Sequence, residues 1–314
     1  MASGKAKWSE RELIRYISEI FAEANSDVIV GIGDDAAVVA PPNGNLVVTT
    51  DTFVEGVHFR QDWSSPKQIG RKVAIANLAD IYAMGGRPKF MTVAMSATGD
   101  EELEWMLDIA RGIAEEAHKV GAQVIGGDLS KSEQITITIT VIGECQEPIL
   151  RSGAQVGDQI YLSDLTGWSA AGLKALQTAR TEPSFKEAIG RHQVPLFDGK
   201  VAEVFSIGAN SLCDISDSLL IQGEQMAEAS GVCFEIDGRL FEEHPDFAKL
   251  SHLANQLGIN VFDLILSGGE DHVFLATNSG STPPNALRIG QVLSGSGIKL
   301  LHIDTPQPGW QHFN

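Results

Sequence analysis

Six short segments place carboxylates where they could meet phosphate and metal. They are Gly31-Ile-Gly-Asp-Asp35, Thr49-Thr-Asp-Thr52, Asn77-Leu-Ala-Asp80, Gly126-Gly-Asp128, Asp214-Ile-Ser-Asp217 and Gly268-Gly-Glu-Asp271. Each sets an acidic side chain beside glycine, a hydroxyl or an amide, in a stretch whose composition favours a turn. Such turns aim backbone N–H groups at an anion. Hard oxygen ligands hold magnesium and leave its other positions to water and phosphate. One acidic turn would mean little. Six in one chain point to a polyphosphate site assembled around several metal ions.

The usual phosphate scaffolds are missing. The chain has no P-loop, no kinase-type glycine loop with its Asp-Phe-Gly element, and no dinucleotide fingerprint after a strand. A nucleophile elbow for a hydrolase triad is absent as well. The 41 acidic residues against 23 basic ones leave a net charge of −18, which argues against nucleic acid or an anionic membrane as a partner. Cys145, Cys213 and Cys233 lack the spacing of a zinc site or a disulfide framework, so apolar packing is expected of each. The first residues have no apolar core of a signal peptide, and no run approaches the ~20 apolar residues that span a bilayer. A cytoplasmic protein is expected.

The elements that must position these carboxylates read as alternating helices and strands. Ser9-Glu-Arg-Glu12 is a capping box, with Leu13, Ile14, Ile17, Ile20 and Phe21 as the apolar stripe behind it. Strands are expected at Val28–Ile32, Ala36–Ala40 and Leu46–Thr50, and a helix from Pro66 to about Met84. Phe90–Ser96 reads as a strand and Asp100 as the cap of a helix reaching about Val120. Ile135–Val141 alternates strictly between apolar and threonine, which gives one buried face and one polar face. After Glu147-Pro148 the pattern restarts, with strands at Gln159–Leu162, Val232–Ile236, Val273–Ala276 and Ile289–Val292. Helices are expected at Trp168–Ala179, Leu196–Phe205 and Ser216–Ser230, the last starting inside the Asp-Ile-Ser-Asp turn. The fold class is therefore α/β with mixed sheets in two domains, residues 1–148 and 149–314.

The ordered set of motifs resembles the thiamine-monophosphate kinase family, of the superfamily that includes aminoimidazole-ribonucleotide synthetase and selenophosphate synthetase. The resemblance rests on the Gly-Asp-Asp35 turn, Thr49 through Phe59, Asn77 through Gly85, Gly126-Gly-Asp128, Arg151-Ser-Gly-Ala154, Asp214-Ile-Ser-Asp217 and Ser267-Gly-Gly-Glu-Asp271, in the family's order. It covers nearly the whole chain. It implies a synthetase-like fold in which the N-terminal domain pairs its sheet in a homodimer, with nucleotide between the domains. It also implies transfer of the ATP γ-phosphoryl group to thiamine monophosphate, giving thiamine diphosphate. Carried over by position, Asp35, Thr49, Thr50, Asp51, Asp80, Asp128, Asp214 and Asp217 match Mg2+ ligands. Gly127, Asp128, Arg151 and Ser216 match ATP contacts, and His58, Glu270 and Trp310 match thiamine contacts.

The chemistry suits these residue types. ATP and a phosphate monoester together carry about five or six negative charges, so cations must offset their repulsion. The acceptor is an ionised phosphate oxygen, so no dedicated acid or base is needed. Asp34 reads as a turn residue beside Asp35, and Glu270 is preferred to Asp271 for substrate. Three positions depart from the family pattern: Ser218 where glycine is usual, Leu129-Ser130 where threonine is usual, and His272 where an aromatic is common. A position requiring positive φ would strain Ser218. The alternatives are another ATP-using member of the superfamily, such as an aminoimidazole-ribonucleotide synthetase, or an inactive Mg-ATP-binding relative. Selenophosphate chemistry would call for an early reactive cysteine, and none precedes Cys145.

Overall fold

Strict alternation in the sixth strand organises the N-terminal half, and the computed structural model, which describes residues 8–280, 282–304 and 306, shows what it packs against. The chain divides into one unit reaching Ile81 and resuming at Gly86–Gln146, and a second formed by Tyr82–Gly85 and the residues from Glu147 onward. In the first unit the elements run α1 (Glu10–Phe21), β1 (Val28–Val30), β2 (Val38–Val39), β3 (Asn45–Val54), α2 (Pro66–Ala83), β4 (Arg87–Ala97), α3 (Leu103–Lys119), β5 (Gln123–Lys131) and β6 (Thr136–Cys145). Strands β1 and β2 pair as a small ribbon, and the other four form a sheet in the order β3-β6-β4-β5. Only the β4–β5 pair is parallel.

Ile137, Ile139 and Val141 of β6 are fully buried, as are Val73, Leu78 and Ile81 of α2. The intervening Thr138 and Thr140 face outward beside Thr52 and Thr50 of β3. Helix α1 starts as expected, with the Ser9 hydroxyl accepting the Glu12 N–H. Its stripe is narrower than the sequence suggests, because Leu13 and Phe21 are buried while Ile14 is exposed. Glu102, not Asp100, takes the N-cap position of helix α3, without a side-chain cap bond, and the Asp100 N–H donates to the Thr98 hydroxyl.

In the second unit the elements are β7 (Gln159–Leu162), α4 (Trp168–Gln177), α5 (Lys186–Gln193), α6 (Gly199–Ser206), β8 (Ser211–Asp214), α7 (Leu219–Ser230), β9 (Cys233–Asp237), α8 (Gly238–Phe241), α9 (Phe247–Leu257), α10 (Val261–Ser267), β10 (Phe274–Asn278), β11 (Leu287–Leu293) and β12 (Gly297–Leu301). The sheet order is β12-β9-β11-β7-β10-β8, antiparallel except for β12 with β9. Trp168, Phe185, Phe205, Phe234 and Phe241 fill its core. Cys145 and Cys213 are buried and Cys233 is partly so. Burial pushes the Cys213 thiol well above its ordinary range, which makes it inert. Among the described residues no helix is long and apolar enough to cross a membrane.

The Gly126-Gly127-Asp128 segment corrects the turn reading, since it lies inside β5. A side chain at Gly127 explains why. A Cβ there would stand 2.0 Å from the Val93 carbonyl oxygen of β4, so the parallel pair can close only over glycine. We expect Gly127→Ala to destabilise the first unit by about 2–3 kcal/mol. An unchanged midpoint in urea denaturation would contradict that account.

Candidate functional site

In the first unit, one strand and one helix bring several candidates together. Side chains alternate along β3, so Thr49, Asp51 and Phe53 face α2 while Thr50 and Thr52 face away. The Thr49 hydroxyl donates to Asp80 Oδ2 at 2.7 Å, and the Asp51 N–H donates to Asn77 Oδ1 at 3.0 Å. Residues two apart on a strand thus meet residues three apart on a helix, the natural match of the two periods. Asn77 is fully buried, and its Nδ2 donates back to the Val73 carbonyl at 2.9 Å. Sequence reasoning kept Asn77 only as part of a motif, but its amide is what docks Asp51 on the helix.

Thr50 is not brought into this group. Its hydroxyl donates to the Ile139 carbonyl at 3.0 Å and accepts from Thr140 on the outer face of the sheet. Asp128 also lies on that face, in register with Ala94 of β4, Thr138 of β6 and Thr52 of β3. Three strand spacings separate it from β3, roughly 14 Å. Asp35 sits exposed in a turn whose N–H is held by Asp34 Oδ1 at 2.8 Å, the turn role read for Asp34. His58 lies in the turn after β3, tilted against Phe53, and its Nδ1 accepts the Val54 N–H at 3.0 Å. That bond puts the ring proton of neutral His58 on Nε2.

In the second unit the candidates converge on two turns. Asp214 ends β8, is 2% exposed, and has His272 Nδ1 at 3.1 Å from its Oδ2. Gln222 of α7, buried and missed by sequence reasoning, donates to Ser216 Oγ at 3.1 Å and Asp217 Oδ2 at 3.3 Å while accepting the Ser218 N–H. Helix α7 therefore begins after the turn, not inside it, with Ser218 as its cap accepting the Ile221 N–H. Ser218 has φ −174°, extended backbone that any residue adopts, so its hydroxyl adds a cap where strain was the concern. Arg151 is exposed and bonds Gln225 Oε1. Trp310 lies outside the described residues.

The Gly268–His272 loop closes over the Asp-Ile-Ser-Asp turn. Its Glu270 N–H donates to the Ser216 carbonyl at 2.6 Å and its His272 N–H to the Ile215 carbonyl at 2.9 Å. Gly269 has no room for a side chain, because a Cβ would meet the Asp217 carbonyl oxygen at 2.3 Å. Glu270 is half-exposed, with Oε2 at 3.6 Å from His192 Nδ1. Asp271 is buried, and its two oxygens accept the N–H groups of Gly167 at 2.6 Å and Ser169 at 2.9 Å. It caps α4 from a hundred residues away, a role that its neighbourhood in sequence does not signal.

Burial pushes the Asp271 carboxyl up to about 6 from 3.8, although the two N–H donors and nearby His272 and Arg191 act in the opposite sense. The native state therefore holds this proton more tightly than the unfolded chain. As pH falls from about 6 towards 4, wild type gains stability relative to a variant that cannot titrate there. We expect the unfolding free energies of wild type and Asp271→Asn to diverge in favour of wild type by about 2–3 kcal/mol across that window. A pH-independent difference in denaturant titrations would show that burial does not hold the carboxyl high.

Comparison with known proteins identifies the scaffold. Residues 33–145 match the family described as AIR synthase related protein, N-terminal domain. The thiamine-monophosphate kinase of Corynebacterium glutamicum is 37% identical over 97% of this chain and 93% of its own. That of Mycobacterium tuberculosis is 38% identical, over 91% and 86%. A solved structure of AaThiL complexed with AMPPCP and TMP superimposes with a TM-score of 0.80 at 31% identity, covering 97% of each chain. With this identity sustained along almost its full length, the chain belongs to the thiamine-monophosphate kinase family.

Proposed function

We propose that this protein transfers the γ-phosphoryl group of ATP to the phosphate of thiamine monophosphate, forming thiamine diphosphate. The observation that carries the reading is the full-length match to AaThiL, which was solved with AMPPCP and TMP. That pair is a triphosphate whose β,γ link resists transfer, together with the acceptor.

The first test of magnesium is the donor set. Among the described residues, no three His, Cys, Asp or Glu side chains converge to cage a metal. Magnesium does not ask for that, because it keeps several waters and takes one or two carboxylates plus substrate phosphates. Paired hard oxygens fit, as at Thr49 with Asp80 beside Asp51. We assign Asp35, Thr49, Thr50, Asp51, Asp80, Asp128, Asp214 and Asp217 to hold it. For Thr50, whose hydroxyl is engaged on the outer face, the backbone carbonyl is the oxygen left to consider. Bound there, magnesium would offset the repulsion of the two phosphate ligands.

The protein's own groups do the positioning. Gly127, Asp128, Arg151 and Ser216 are assigned to ATP. His58, with its proton on Nε2, together with Glu270 and Trp310, is assigned to the thiamine. No side chain is asked to remove a proton, since the acceptor oxygen is already ionised. Catalysis then rests on alignment and charge, with residues 1–148 as the ATP- and magnesium-binding and dimerisation domain and residues 149–314 as an α/β domain that adds Arg151, Ser216 and the second group of ligands. An assay of thiamine diphosphate from ATP, thiamine monophosphate and magnesium tests this. We expect magnesium-dependent product, reduced at least 100-fold in Asp51→Asn. Mg-ATP binding without product would reject the kinase in favour of another ATP-using member of the superfamily or an inactive relative.

A cytoplasmic homodimer, with neither nucleic acid nor membrane as partner, completes the reading. The outer face of β3 supports the dimer: Leu46 and Val48 are each 57% exposed in line with Thr50 and Thr52. Two adjacent large apolar side chains on a sheet face are a self-association signal. Sedimentation should give a dimer for wild type and a monomer for the Leu46→Lys, Val48→Lys double variant. A monomeric wild type would remove the homodimer from the proposal.

A further inference from the structure

Glu270 sits on backbone that needs holding. Its φ is 62° and that of His272 is 52°, both in the left-handed region that side chains with a Cβ avoid. Such a conformation persists only where its surroundings determine it. Here the residue between them is anchored at two points: each oxygen of Asp271 accepts a separate N–H at the start of α4. His192, in the last turn of α5, completes the frame. Its Nδ1 lies 3.1 Å from Ser169 Oγ and 3.6 Å from Glu270 Oε2, so one ring nitrogen faces both the capped helix and the carboxylate. His192 and Ser169 are themselves buried, which leaves that nitrogen few alternative orientations.

We infer that Asp271 and His192 are positioning residues for Glu270: Asp271 fixes its backbone through the start of α4, and His192 orients its carboxylate. The inference rests on the proposed function, in which Glu270 meets the thiamine. Neither residue touches substrate in this account. Both act on how well thiamine monophosphate is held, not on ATP.

Steady-state kinetics of wild type, Asp271→Asn, Glu270→Gln and the double variant test this. We expect Asp271→Asn to raise the KM for thiamine monophosphate about tenfold and leave that for ATP within about twofold. The double variant should be no worse than Glu270→Gln alone, because a residue acting only through Glu270 has nothing left to position. Multiplying effects, or a rise of both KM values together, would overturn the inference. Should Asp271→Asn fail to fold, His192 carries the test. His192→Leu should raise the same KM, and His192→Asn, whose Nδ2 can stand where Nδ1 stands, should restore it. Equal impairment by both would overturn the assignment. A wild type that makes no thiamine diphosphate rejects the functional reading and the inference with it. An active wild type with independent effects rejects only the inference.

Discussion

The buried amide of Asn77 is the constraint on which the placing of β3 against α2 depends. Apolar packing against α2 and the ladder to β6 set which face of β3 is buried. Asn77 adds a directional tie, because its oxygen accepts the Asp51 N–H while its nitrogen is committed to the helix's own Val73 carbonyl. Leaving either buried group unpaired would cost on the order of 1–3 kcal/mol, so β3 is fixed in register against α2. Thr49 then falls opposite Asp80, one helical turn along. Asp80 is thereby held by the Thr49 hydroxyl, and Asp51 is held through its backbone N–H.

The second unit solves the same problem with different residues. Gln222 gathers the Asp-Ile-Ser-Asp turn through three of its neighbours, and Asp271 ties the Gly268–His272 loop to the first turn of α4. A carboxylate at a helix start is favoured by the unpaired N–H groups and by the helix dipole. That arrangement lets a charged residue live in an apolar core, at the expense of a raised proton affinity. The left-handed backbone at Glu270 and His272 is the cost of turning a tight loop back over Ser216 and Asp214.

Where local pattern carried the signal, the elements were legible. The capping box of α1, the Pro66 start of α2 and the alternation of β6 all stand where the residues put them. Strand β5 was hidden, because two adjacent glycines read as a turn, whereas glycine is required there by the approach of β4. Strand β8 has only four residues, all buried, too short for any period to show. The helix after Asp214 began later than expected because Gln222 holds the turn open until Ser218 can cap it.

The sequence by itself determined the family and named the candidate ligands, since both depend on which residue types occur in which order. It gave adjacent residues no separate surroundings. Thr49 and Thr50 are adjacent and identical, yet β3 sends one hydroxyl to Asp80 and the other to the opposite face. Glu270 and Asp271 are adjacent and similar, yet one is half-exposed and the other is sealed beneath α4. Ser218 was a candidate for strain until the backbone proved extended. Such choices belong to the tertiary structure, because the face a side chain takes and the donors it meets are set by segments far away in the chain.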